Sequence, residues 1–374
     1  MSNGKHILIL SSWYPTKEKP FLGNFVQQHA QLVSKSTKVT VLNIASSANK
    51  SFEIGESLSE NLTEISIYFP KGLNKFSRFF NERKAFRMGL NLVKNVDLIH
   101  AHVLLSKGYL FARAKKHFNC PLIVTEHSSI YRQDKIQHFS KKDQAIFNST
   151  LKYVDQFIAV SEILKSDLMK SLKITNCKVI GNPVDVEKFV PATKTVDSSS
   201  DSADIKRFLH ISTLAPIKNV KGIIDAFDLA FEKNNQCRLT IVSDENHDAL
   251  TKYSSPLNCA RSIDFLGPLK HEETVQYYQK SDFFILNSDY ETFSIVLAEA
   301  WSCGLPVIAT NVGIASNMSP ELGRSIPKND MESLSKTILE IQKSDFDSQK
   351  IRAHALQFSN EQILAQISTV YEEI

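Results

Sequence analysis

The sequence predicts two successive α/β units, each a parallel sheet with helices on both faces. Three observations support this. Short apolar runs alternate with segments of helical periodicity through the first half of the chain. The alternation stops at a polar stretch and then restarts. The chain has 374 residues, of which 42% are hydrophobic and 22% charged, enough for about two globular domains.

The same composition excludes several classes of protein. The apolar content is too high for a disordered chain, and 12 Gly and 12 Pro are too few for a collagen-like or low-complexity fibre. The longest apolar runs fall far short of the roughly 20 residues of a membrane-spanning helix. The run after Lys5 is too short for the core of a signal peptide. Five scattered cysteines without a Cys-x-x-Cys pair indicate reduced buried thiols in a cytoplasmic protein.

In the first half, fully apolar runs are typical of strands in a parallel sheet that is buried on both faces. The predicted strands are 6–10, 39–44, 97–100, 122–125 and 157–160. Helical periodicity predicts a helix over 106–117, and Ser161, after the last of these strands, is predicted to start another. The alternation of strands with helices predicts a parallel sheet.

The character of the sequence changes near residue 190. Residues 191–204 are polar and aperiodic, which predicts an exposed connection. The strands predicted beyond it are 207–211, 238–242, 263–266, 283–286 and 306–310, with a helix over 220–233. Ligands bind beyond the carboxyl ends of such strands, so functional residues are expected in the loops there. The sequence has neither Gly-x-Gly-x-x-Gly nor a Walker A motif, which argues against dehydrogenases and P-loop NTPases.

Charge is distributed unevenly along the chain. Residues 1–195 carry 28 Lys and Arg against 15 Asp and Glu, whereas the net charge of the whole chain is only +4. The asymmetry indicates that the first half faces nucleic acid, an anionic membrane surface or a phosphorylated substrate. Residues 71–87 combine six basic residues with four phenylalanines. Two interpretations of this segment are equally open: a membrane-surface helix or bed for a lipid-linked acceptor, and a core helix with a solvated basic face.

Residues 287–310 contain the most informative pattern. A polar loop follows the strand 283–286, and a helix is predicted to open near Phe293 or Ser294, where free N–H groups and the helix dipole favour an anion. Glu291 lies just before this helix, and Glu299 lies inside it among apolar residues. Two glutamates alone favour an ordinary loop acid and a solvated helix acid. A carboxylate here can also accept hydrogen bonds from the two hydroxyls of a ribose.

This segment resembles the Glu-x7-Glu region of retaining glycosyltransferases of the GT-B fold, specifically glycosyltransferase family 4 (glycosyl transferases group 1). Other segments resemble the family in its own order along nearly the whole chain. Each is weakly diagnostic alone, and their order carries the resemblance. The matching segments are 14–16 with 23–25, 97–102, 125–128, 159–161, 179–185 with Phe189, 218–227, 265–267 and 303–307.

The resemblance implies two Rossmann-like parallel-sheet domains that face each other across a cleft. It implies an acceptor-side domain over 1–185, a linker over 186–204 and a nucleotide-sugar-binding domain over 205–356. A C-terminal helix over 357–374 would cross back to the N-terminal domain. Ser359 is the expected N-cap of that helix, and Gln362 completes a capping-box pattern.

The implied activity is transfer of a sugar, with retention of configuration, from a UDP- or GDP-linked donor to a sugar or lipid-linked acceptor. Cell-surface polysaccharide or glycolipid synthesis is the implied setting. By resemblance, Lys218 would bind the diphosphate, Glu299 the ribose and Glu291 the donor sugar. The full implied set comprises His127, Glu291 and Lys218 as catalytic residues; Gly23, Thr213, Lys218, Leu266, Glu291, Thr292, Phe293, Ser294 and Glu299 as donor-binding residues; and Asn24 and His102 on the acceptor side.

Neither a metal nor another cofactor is expected. His100 and His102 share one face of a strand, but no third ligand is evident at a suitable spacing, and the resembling family is metal-independent as a rule. Asp345-Phe-Asp347 matches a metal motif of the other large glycosyltransferase fold but lies in a polar stretch, so it is interpreted as solvated surface. The expected location is the cytoplasm, with the inner face of the membrane as a peripheral site.

The sequence departs from the family pattern where an arginine usually precedes the phosphate-binding lysine by five residues. Thr213 occupies this position, which removes one diphosphate cation, and a charge-assisted hydrogen bond contributes about 1.5–3 kcal/mol. Thr213 itself and Lys221 are the candidate substitutes. Two other functions stay open: a nucleotide-sugar epimerase of the same fold and a basic nucleic-acid-binding protein. The latter lacks any recognised motif, so nucleic acid is not an expected partner.

Overall fold

The computed structural model describes residues 4–20, 22–104, 107–132, 135, 141–192 and 205–374. The chain divides into two compact units. The first unit comprises Met1–Pro183 with Ile363–Ile374, and the second comprises Val184–Gln362. Within the described ranges, no helix has the length and apolarity needed to cross a bilayer.

The first unit contains an eight-stranded sheet. Its strands are β1 His6–Ser11, β2 Lys38–Ser47, β3 Glu53–Leu58, β4 Leu62–Pro70, β5 Leu98–His102, β6 Leu122–Glu126, β7 Gln156–Ala159 and β8 Cys177–Val179. They are ordered β3-β4-β2-β1-β5-β6-β7-β8, and all neighbours are parallel except β3 and β4. The five predicted strands are confirmed. β3 and β8 escaped prediction because they have no continuous apolar run, and β4 because apolar and polar residues alternate through much of it.

The helices of this part of the chain are α1 Asn24–Val33, α2 Lys75–Leu92, α3 Gly108–Phe118, α4 Lys141–Leu151 and α5 Glu162–Leu172. Ser161 starts α5 as predicted, because its side chain accepts a hydrogen bond from the main-chain N–H of Leu164 at 3.2 Å. The helix predicted over 106–117 corresponds to α3, and its predicted first residue lies outside the described residues.

The second unit contains a six-stranded, wholly parallel sheet of order β11-β10-β9-β12-β13-β14. Its strands are β9 Lys206–Ile211, β10 Cys237–Val242, β11 Ile263–Leu266, β12 Phe283–Leu286, β13 Val307–Thr310 and β14 Gly323–Ile326. The helices are α6 Val220–Phe231, α7 Asp248–Ser254, α8 Val275–Lys280, α9 Ile295–Ser302, α10 Met331–Ile341 and α11 Ser348–Ala355. The five strands predicted here are present, and β14 is an addition.

Strand order reverses once in each sheet. In the first unit β1 lies between β2 and β5, and in the second β9 lies between β10 and β12. Loops that follow the two strands at such a switch point leave in opposite directions and open a crevice at the carboxyl edge of the sheet. The loops after β1 and β5, and those after β9 and β12, are therefore the places where each unit can form a binding site.

The last helix, α12 Asn360–Glu373, completes the core of the first unit. Ser359 precedes it, and its hydroxyl accepts a hydrogen bond from the N–H of Gln362 at 3.2 Å. The apolar stripe that predicted an amphipathic helix is buried against residues of β1, β2 and α1. The buried members of this stripe are Ile363, Ile367, Val370 and Tyr371.

Part of the segment predicted as a linker is packed into the second unit. Phe189 is fully buried there, and its carbonyl accepts hydrogen bonds from Ser302 Oγ at 2.6 Å and from Arg352 at 2.9 Å. Arg352 also donates to the carbonyl of Val186 at 2.8 Å. Residues 186–190 therefore belong to a fixed part of the unit, and 193–204 lie outside the described residues.

The Asp345-Phe-Asp347 motif has a structural role. Both aspartates are exposed, as the sequence suggested. Asp347 also caps α11, accepting a hydrogen bond from the N–H of Gln349 at 2.9 Å, and Phe346 packs against the core. The interpretation as solvated surface is thus incomplete: the motif starts a helix.

Candidate functional site

Lys218 and Glu291 form an ion pair across the switch point of the second unit. Lys218 ends a short 3-10 helix after β9, and Glu291 lies in the loop after β12. Lys218 Nζ lies 2.6 Å from Glu291 Oε1, and the two side chains are only 21% and 11% exposed. Ser288 Oγ donates to the same carboxylate oxygen at 2.7 Å. An ammonium held in this way has two further N–H donors, so it can bind a phosphate oxygen without leaving Glu291.

The loop that carries Glu291 is fastened on two sides. The N–H of Asp289 donates to the carbonyl of Ile217 at 2.8 Å, which ties this loop to the one that carries Lys218. On the other side Gly313, with φ +50°, passes so close that an added Cβ would overlap the carbonyl of Phe293. Glycine is required there because the backbone is left-handed and the space is already filled.

The N-terminus of α9 is not capped by a side chain. Its N-cap residue, Ser294, has φ +80°, and its side chain does not cap the helix. The Ser294 hydroxyl is buried and has no hydrogen-bond partner in the described part of the chain. Left-handed backbone at a non-glycine residue costs on the order of 1–3 kcal/mol, and such strain persists where the surroundings impose it. Uncapped N–H groups at the positive end of the helix dipole favour negative charge.

Phe293 and Thr292 complete this turn. The Phe293 side chain is 1% exposed, and its ring meets Phe358 edge-on with 5.2 Å between centroids. Only the main chain of Phe293, and not its ring, is therefore available to a ligand. Thr292 is half-buried between Glu291 and Phe293.

Glu299 is buried and is hydrogen-bonded by two side chains. It is 2% exposed, which excludes the interpretation as a solvated helix acid. Oε1 accepts from His271 Nε2 at 2.5 Å, and Oε2 accepts from the Tyr278 hydroxyl at 2.9 Å. The hydrogen bond to Glu299 raises the pKa of His271, which favours the imidazolium beside the carboxylate. Each carboxylate oxygen retains a lone pair that can accept a ribose hydroxyl.

Sequence reasoning missed His271 and Tyr278. His271 lies five residues past the end of β11, on the carboxyl edge of the sheet, and this position is the signal that could have identified it. Its side chain is 55% exposed, so the imidazole covers the buried carboxylate on the solvent side. Tyr278 is inside α8 and wholly buried, and nothing in its sequence context distinguishes it from a core tyrosine.

The loop at the missing arginine is bonded to an acid from the neighbouring loop, Glu245, which follows β10. Thr213 is exposed just after β9, and the N–H of Leu214 donates to Glu245 Oε1 at 2.8 Å. Lys221, the other candidate substitute, holds its ammonium 4.8 Å from the centroid of the Tyr253 ring. Leu266, predicted on the base side, is half-buried at the end of β11, and its carbonyl accepts from the N–H of Ser243 at 3.0 Å.

In the first unit, four buried histidines form what we term the histidine cluster: His29, His100, His102 and His127. His100 and His102 alternate along β5 and share one face, with 4.4 Å between ring centroids. His127 follows β6, and its Nε2 lies 3.1 Å from His102 Nδ1. His29 comes from α1, with its ring centroid 5.2 Å from that of His102. The cluster lies at the carboxyl edge beside the switch point between β1 and β5.

Burial lowers the pKa of all four histidines. The pKa of His29 falls to about 4 and that of His100 to about 3, while those of His102 and His127 lie well below the usual value. The rings are therefore neutral near pH 7. His100 is bonded to the Tyr371 hydroxyl and to Thr125 Oγ1, each at 2.7 Å. Among the residues that the structure describes, no group of three or more His, Cys, Asp or Glu is arranged to hold a metal ion.

Glu126 supports the loop of His127, and sequence reasoning missed it. Its side chain is fully buried, and Oε1 accepts from the N–H of Leu104 at 2.7 Å and from the Tyr131 hydroxyl at 2.5 Å. Burial raises the pKa of Glu126 to about 7. An acid at the end of an otherwise apolar strand was the available signal. Its hydrogen bonds join the loops after β5 and β6 and so set the position of His127.

The glycine loop after β1 is the remaining predicted element. Gly23 is the N-cap of α1 with φ +74°, and an added Cβ would overlap the carbonyl of Trp13. The close approach that requires glycine is thus to the protein's own main chain. Asn24, the first residue of α1, is exposed. Lys107 lies nearby at the carboxyl edge, where its Nζ donates to the carbonyl of Ile44 at 2.7 Å and burial lowers its pKa to about 8.

Comparison with known families accounts for this combination of fold and residues. The sequence profile of glycosyltransferase family 4 matches residues 25–188, and that of glycosyl transferases group 1 matches residues 194–358. The chain belongs to the group 1 glycosyltransferases of family 4. Neither the epimerase hypothesis nor the nucleic-acid hypothesis gains support from these comparisons.

Known relatives of this glycosyltransferase span most of its length. An uncharacterized glycosyltransferase of Methanocaldococcus jannaschii is 24% identical over 376 residues, which cover 98% of this chain and 99% of the relative. An alpha-monoglucosyldiacylglycerol synthase of Streptococcus pneumoniae is 27% identical over 256 residues, which cover 63% of this chain and 57% of the relative.

Solved structures show that the glycosyltransferase has the GT-B fold. Sucrose-phosphate synthase from Thermosynechococcus elongatus superposes with a TM-score of 0.74 at 19% identity, covering 99% of this chain and 98% of the other. Anabaena HepE in complex with UDP-glucose gives a TM-score of 0.71 at 18% identity, covering 99% of this chain and all of the other.

Proposed function

We propose that this glycosyltransferase moves a sugar from a nucleoside diphosphate sugar, UDP- or GDP-linked, to a hydroxyl acceptor with retention of the anomeric configuration. The observation that carries the proposal is the Lys218–Glu291 pair at the switch point of a parallel sheet, with Lys218 after β9 and Glu291 in the loop that leads into α9. A fixed cation and an uncapped helix N-terminus suit a diphosphate, and the buried carboxylate of Glu299 suits a ribose.

Catalysis in this proposal is electrostatic. As the bond between the anomeric carbon and the diphosphate oxygen breaks, negative charge grows on the diphosphate, and Lys218 and the N–H groups of Phe293 and Ser294 stabilise it. The acceptor hydroxyl attacks from the face that the diphosphate leaves, through an oxocarbenium-like state. Its proton passes to the departing phosphate oxygen. In this reaction the protein positions the donor and acceptor and stabilises the developing charge, and it forms no covalent intermediate.

We assign contacts with the donor sugar to Glu291 and His127. Glu291 Oε2 can accept from a sugar hydroxyl, since the hydrogen bonds from Lys218 and Ser288 are made to Oε1. The neutral imidazole of His127 can donate to a hydroxyl without adding a positive charge that would oppose the oxocarbenium-like state. His102 is fully buried against His127, so we assign it to positioning on the acceptor side, where Asn24 is the exposed candidate.

The proposed reaction needs no metal, because Lys218 and the start of α9 would supply the positive charge that a metal would otherwise bring to the diphosphate. We expect transfer to continue in EDTA. Loss of activity in EDTA that manganese or magnesium restores would contradict this expectation.

We propose a sugar or lipid-linked acceptor of cell-surface polysaccharide or glycolipid synthesis, used in the cytoplasm at the inner face of the membrane. Two observations support this proposal: the basic first half of the chain and a relative named as a glycolipid synthase.

Ligand-induced stabilisation tests the donor site directly, since a ligand that binds the folded protein raises its melting temperature. We expect UDP or GDP, and one or more of their sugar derivatives, to raise the melting temperature of the wild-type chain. Lys218→Ala should abolish the shift. Lys233→Ala is the control, because that lysine is exposed in the same unit and was assigned no part in donor binding.

Two results would overturn the donor assignment: no stabilisation by any nucleoside diphosphate, or equal losses in the two lysine variants. Product analysis of the donor incubated without acceptor separates transfer from epimerisation, because an epimerase would change the sugar in the absence of an acceptor.

A further inference from the structure

The beginning of α2 exposes an unusual concentration of large apolar side chains. Of the eleven that are exposed in the described ranges, four lie within residues 73–80, and the three phenylalanines among the eleven are all here. Leu73 is fully exposed, Phe76 is 77% exposed and Phe80 66%, while Phe79 is partly covered at 41%. Isolated exposed apolar residues are normal, but a cluster of this kind indicates an interaction surface.

The two interpretations of residues 71–87 each describe one half of the helix. In its second half Ala85, Phe86, Gly89 and Leu90 are buried, as expected of a core helix. In its first half the aromatic residues point to solvent. Phe76, Phe80, Lys84 and Arg87 follow the spacing of a single helical face, so the exposed apolar stripe continues directly into a basic one. We term this stripe, with Leu73, the aromatic–basic surface.

The aromatic–basic surface is presented by a well-formed helix end. Asn74 is the N-cap, and its side chain accepts from the N–H of Ser77 at 2.9 Å, while Ser77 Oγ accepts from the N–H of Asn74 at 3.1 Å. This reciprocal capping box satisfies two N–H groups that the helix leaves free and stabilises its first turn. The exposed side chains are therefore displayed on ordered backbone.

The charge around these side chains is positive. Residues 71–87 contain six Lys and Arg and a single acid, Glu82. Glu82 is half-buried, and its Oε2 accepts from the Tyr109 hydroxyl at 2.6 Å, so the acid is engaged on the protein side of the helix. Lys84 and Arg87 are exposed. A ligand that met the phenylalanines would thus also meet the positive charges of Lys84 and Arg87.

We propose that the aromatic–basic surface docks the protein on an anionic lipid bilayer. Leu73, Phe76 and Phe80 would enter the interfacial region, and Lys84 and Arg87 would contact anionic headgroups. A second copy of the chain is a poorer partner, since it would bring the same positive charges together. A nucleic acid is also a poorer partner, because the most exposed member, Leu73, has no ring to stack on a base.

A lipid-linked acceptor is presented at a bilayer surface, so docking there would bring the protein to the acceptor of the proposed function. The inference rests on the proposed function in this respect only. Binding to vesicles is measured without donor or acceptor. Failure of vesicle binding therefore leaves the donor site untouched, and failure of the donor site leaves the docking surface untouched.

Co-sedimentation with lipid vesicles tests the proposal. The wild-type chain should bind vesicles of phosphatidylcholine and phosphatidylglycerol in about equal parts, and should not bind phosphatidylcholine alone. Phe76→Ser with Phe80→Ser should lower the partition coefficient at least about tenfold, because two buried aromatic contacts are lost. Lys84→Glu with Arg87→Glu should lower it by a similar factor, and about 0.5 M salt should do the same to the wild type.

Matched controls distinguish vesicle binding through this surface from non-specific binding. Ile54 and Leu58 on the edge strand β3 are 53% and 72% exposed, but they lie beside Glu53 and Glu56. Ile54→Ser with Leu58→Ser should leave vesicle binding unchanged. Lys233→Glu with Lys252→Glu, on exposed lysines of the second unit, controls for net charge. Unchanged melting temperatures would show that all four variants are folded.

Several results would overturn the proposal. These are equal binding to neutral vesicles, no binding to anionic vesicles at low salt, and equal losses in the aromatic and control variants. Chromatography with light scattering that shows a dimer dissolved by the Phe76 and Phe80 substitutions would assign the surface to a second copy. Retention of a single-stranded RNA that the same substitutions release would assign it to nucleic acid.

Discussion

Glu291 and Glu299 lie eight residues apart and differ in their surroundings. Glu291 is paired with a lysine at the rim of the second sheet, whereas Glu299 is buried beneath a histidine and a tyrosine. The Glu291 carboxylate can form hydrogen bonds with a sugar that binds and can release them when the sugar leaves. The Glu299 carboxylate is already oriented by these two partners, which suits the ribose contact that we propose for it.

We predict that Glu299→Ala weakens UDP and GDP binding at least about tenfold, while Glu291→Ala leaves that affinity nearly unchanged and lowers kcat. Loss of a charge-assisted hydrogen bond of about 1.5–3 kcal/mol gives this magnitude. Calorimetry with UDP and GDP and initial rates at saturating donor measure the two effects. Glu340→Ala, in the exposed Lys336–Glu340 pair of α10, is the control. Unchanged nucleotide affinity in a folded Glu299 variant would contradict the assignment.

The histidine cluster makes the first unit sensitive to acid. Its members stay neutral in the folded state because burial holds their pKa values below the usual 6.5. In the unfolded chain they take up protons below about pH 6.5. The unfolded state then binds more protons than the folded state, so stability must fall as the pH falls. Glu126 acts in the opposite direction, because its raised pKa adds stability as the pH falls from about 7.

We predict that each fully neutral histidine of the cluster lowers the free energy of unfolding by about 2 kcal/mol as the pH falls from about 7 to about 5. Urea unfolding at several pH values measures this dependence. His29→Gln should flatten it by roughly one such contribution, whereas His117→Gln, at an exposed position, should not. Equal stability at both pH values in the wild type would contradict the prediction.

At the scale of elements, Gly313 holds the loop of Glu291 in place. An added Cβ would overlap the carbonyl of Phe293 and would lie 3.0 Å from Glu291 Cβ. We predict that Gly313→Ala destabilises the protein by about 1–3 kcal/mol and lowers kcat, because the Glu291 loop must move. Thermal melts and initial rates measure these effects. Gly55→Ala is the control, since its Cβ would meet the Tyr68 ring at 3.7 Å and the Ser66 carbonyl at 4.0 Å, both ordinary contact distances. Equal effects of the two substitutions would show that the overlap is irrelevant.

Ten strands were predictable because each contains a short apolar run, and most of these runs are buried on both faces of their sheet. β3, β4, β8 and β14 were not, and the reason is physical. β3 is an edge strand with mostly exposed side chains, β4 alternates apolar and polar residues, and β8 and β14 are short. The start of α9 was predicted within two residues, whereas the left-handed Ser294 that begins it was not, because tertiary contacts impose that conformation.

The residues of the candidate site also fall into those that the sequence could predict and those that it could not. Residues in loops after predicted strands could be located, because topology alone brings such loops to one edge of a sheet. Lys218 and Glu291 are the clearest case, 73 residues apart in the chain and in contact in the fold. Tyr278 could not be predicted from the sequence, since its contact with Glu299 depends on how one helix packs against another. His29 was beyond reach for the same reason, because it meets β5 only through the packing of α1.

At the scale of the whole molecule, the core of the first unit depends on the other end of the chain. Ile367 of α12 is 1% exposed within that core, whereas its neighbour Gln366 is exposed. We predict that Ile367→Ala lowers the stability of the first unit by about 2–5 kcal/mol and that Gln366→Ala changes it little. Deletion of 359–374 should lower solubility and melting temperature further, because four buried apolar side chains are lost.

Tryptophan fluorescence can follow the two units separately, since the chain has two tryptophans, Trp13 in the first unit and Trp301 in the second. With Trp301→Phe as the background, the Ile367 substitution should move the unfolding midpoint of Trp13. In a Trp13→Phe background, the same Ile367 substitution should move the unfolding midpoint reported by Trp301 much less. A truncated chain with unchanged solubility and melting temperature would show that α12 is dispensable.

The place of α12 has a consequence for synthesis in the cell. A ribosome that has finished residue 183 has not yet made the helix that closes the first core, and must translate the whole second unit first. At about 5–20 residues per second, this delay is about 10–35 seconds. During that time the apolar residues of the first unit that α12 will cover are exposed to chaperones and proteases. Synthesis of α12, rather than completion of the first 183 residues, is thus the step after which the first unit can finish folding.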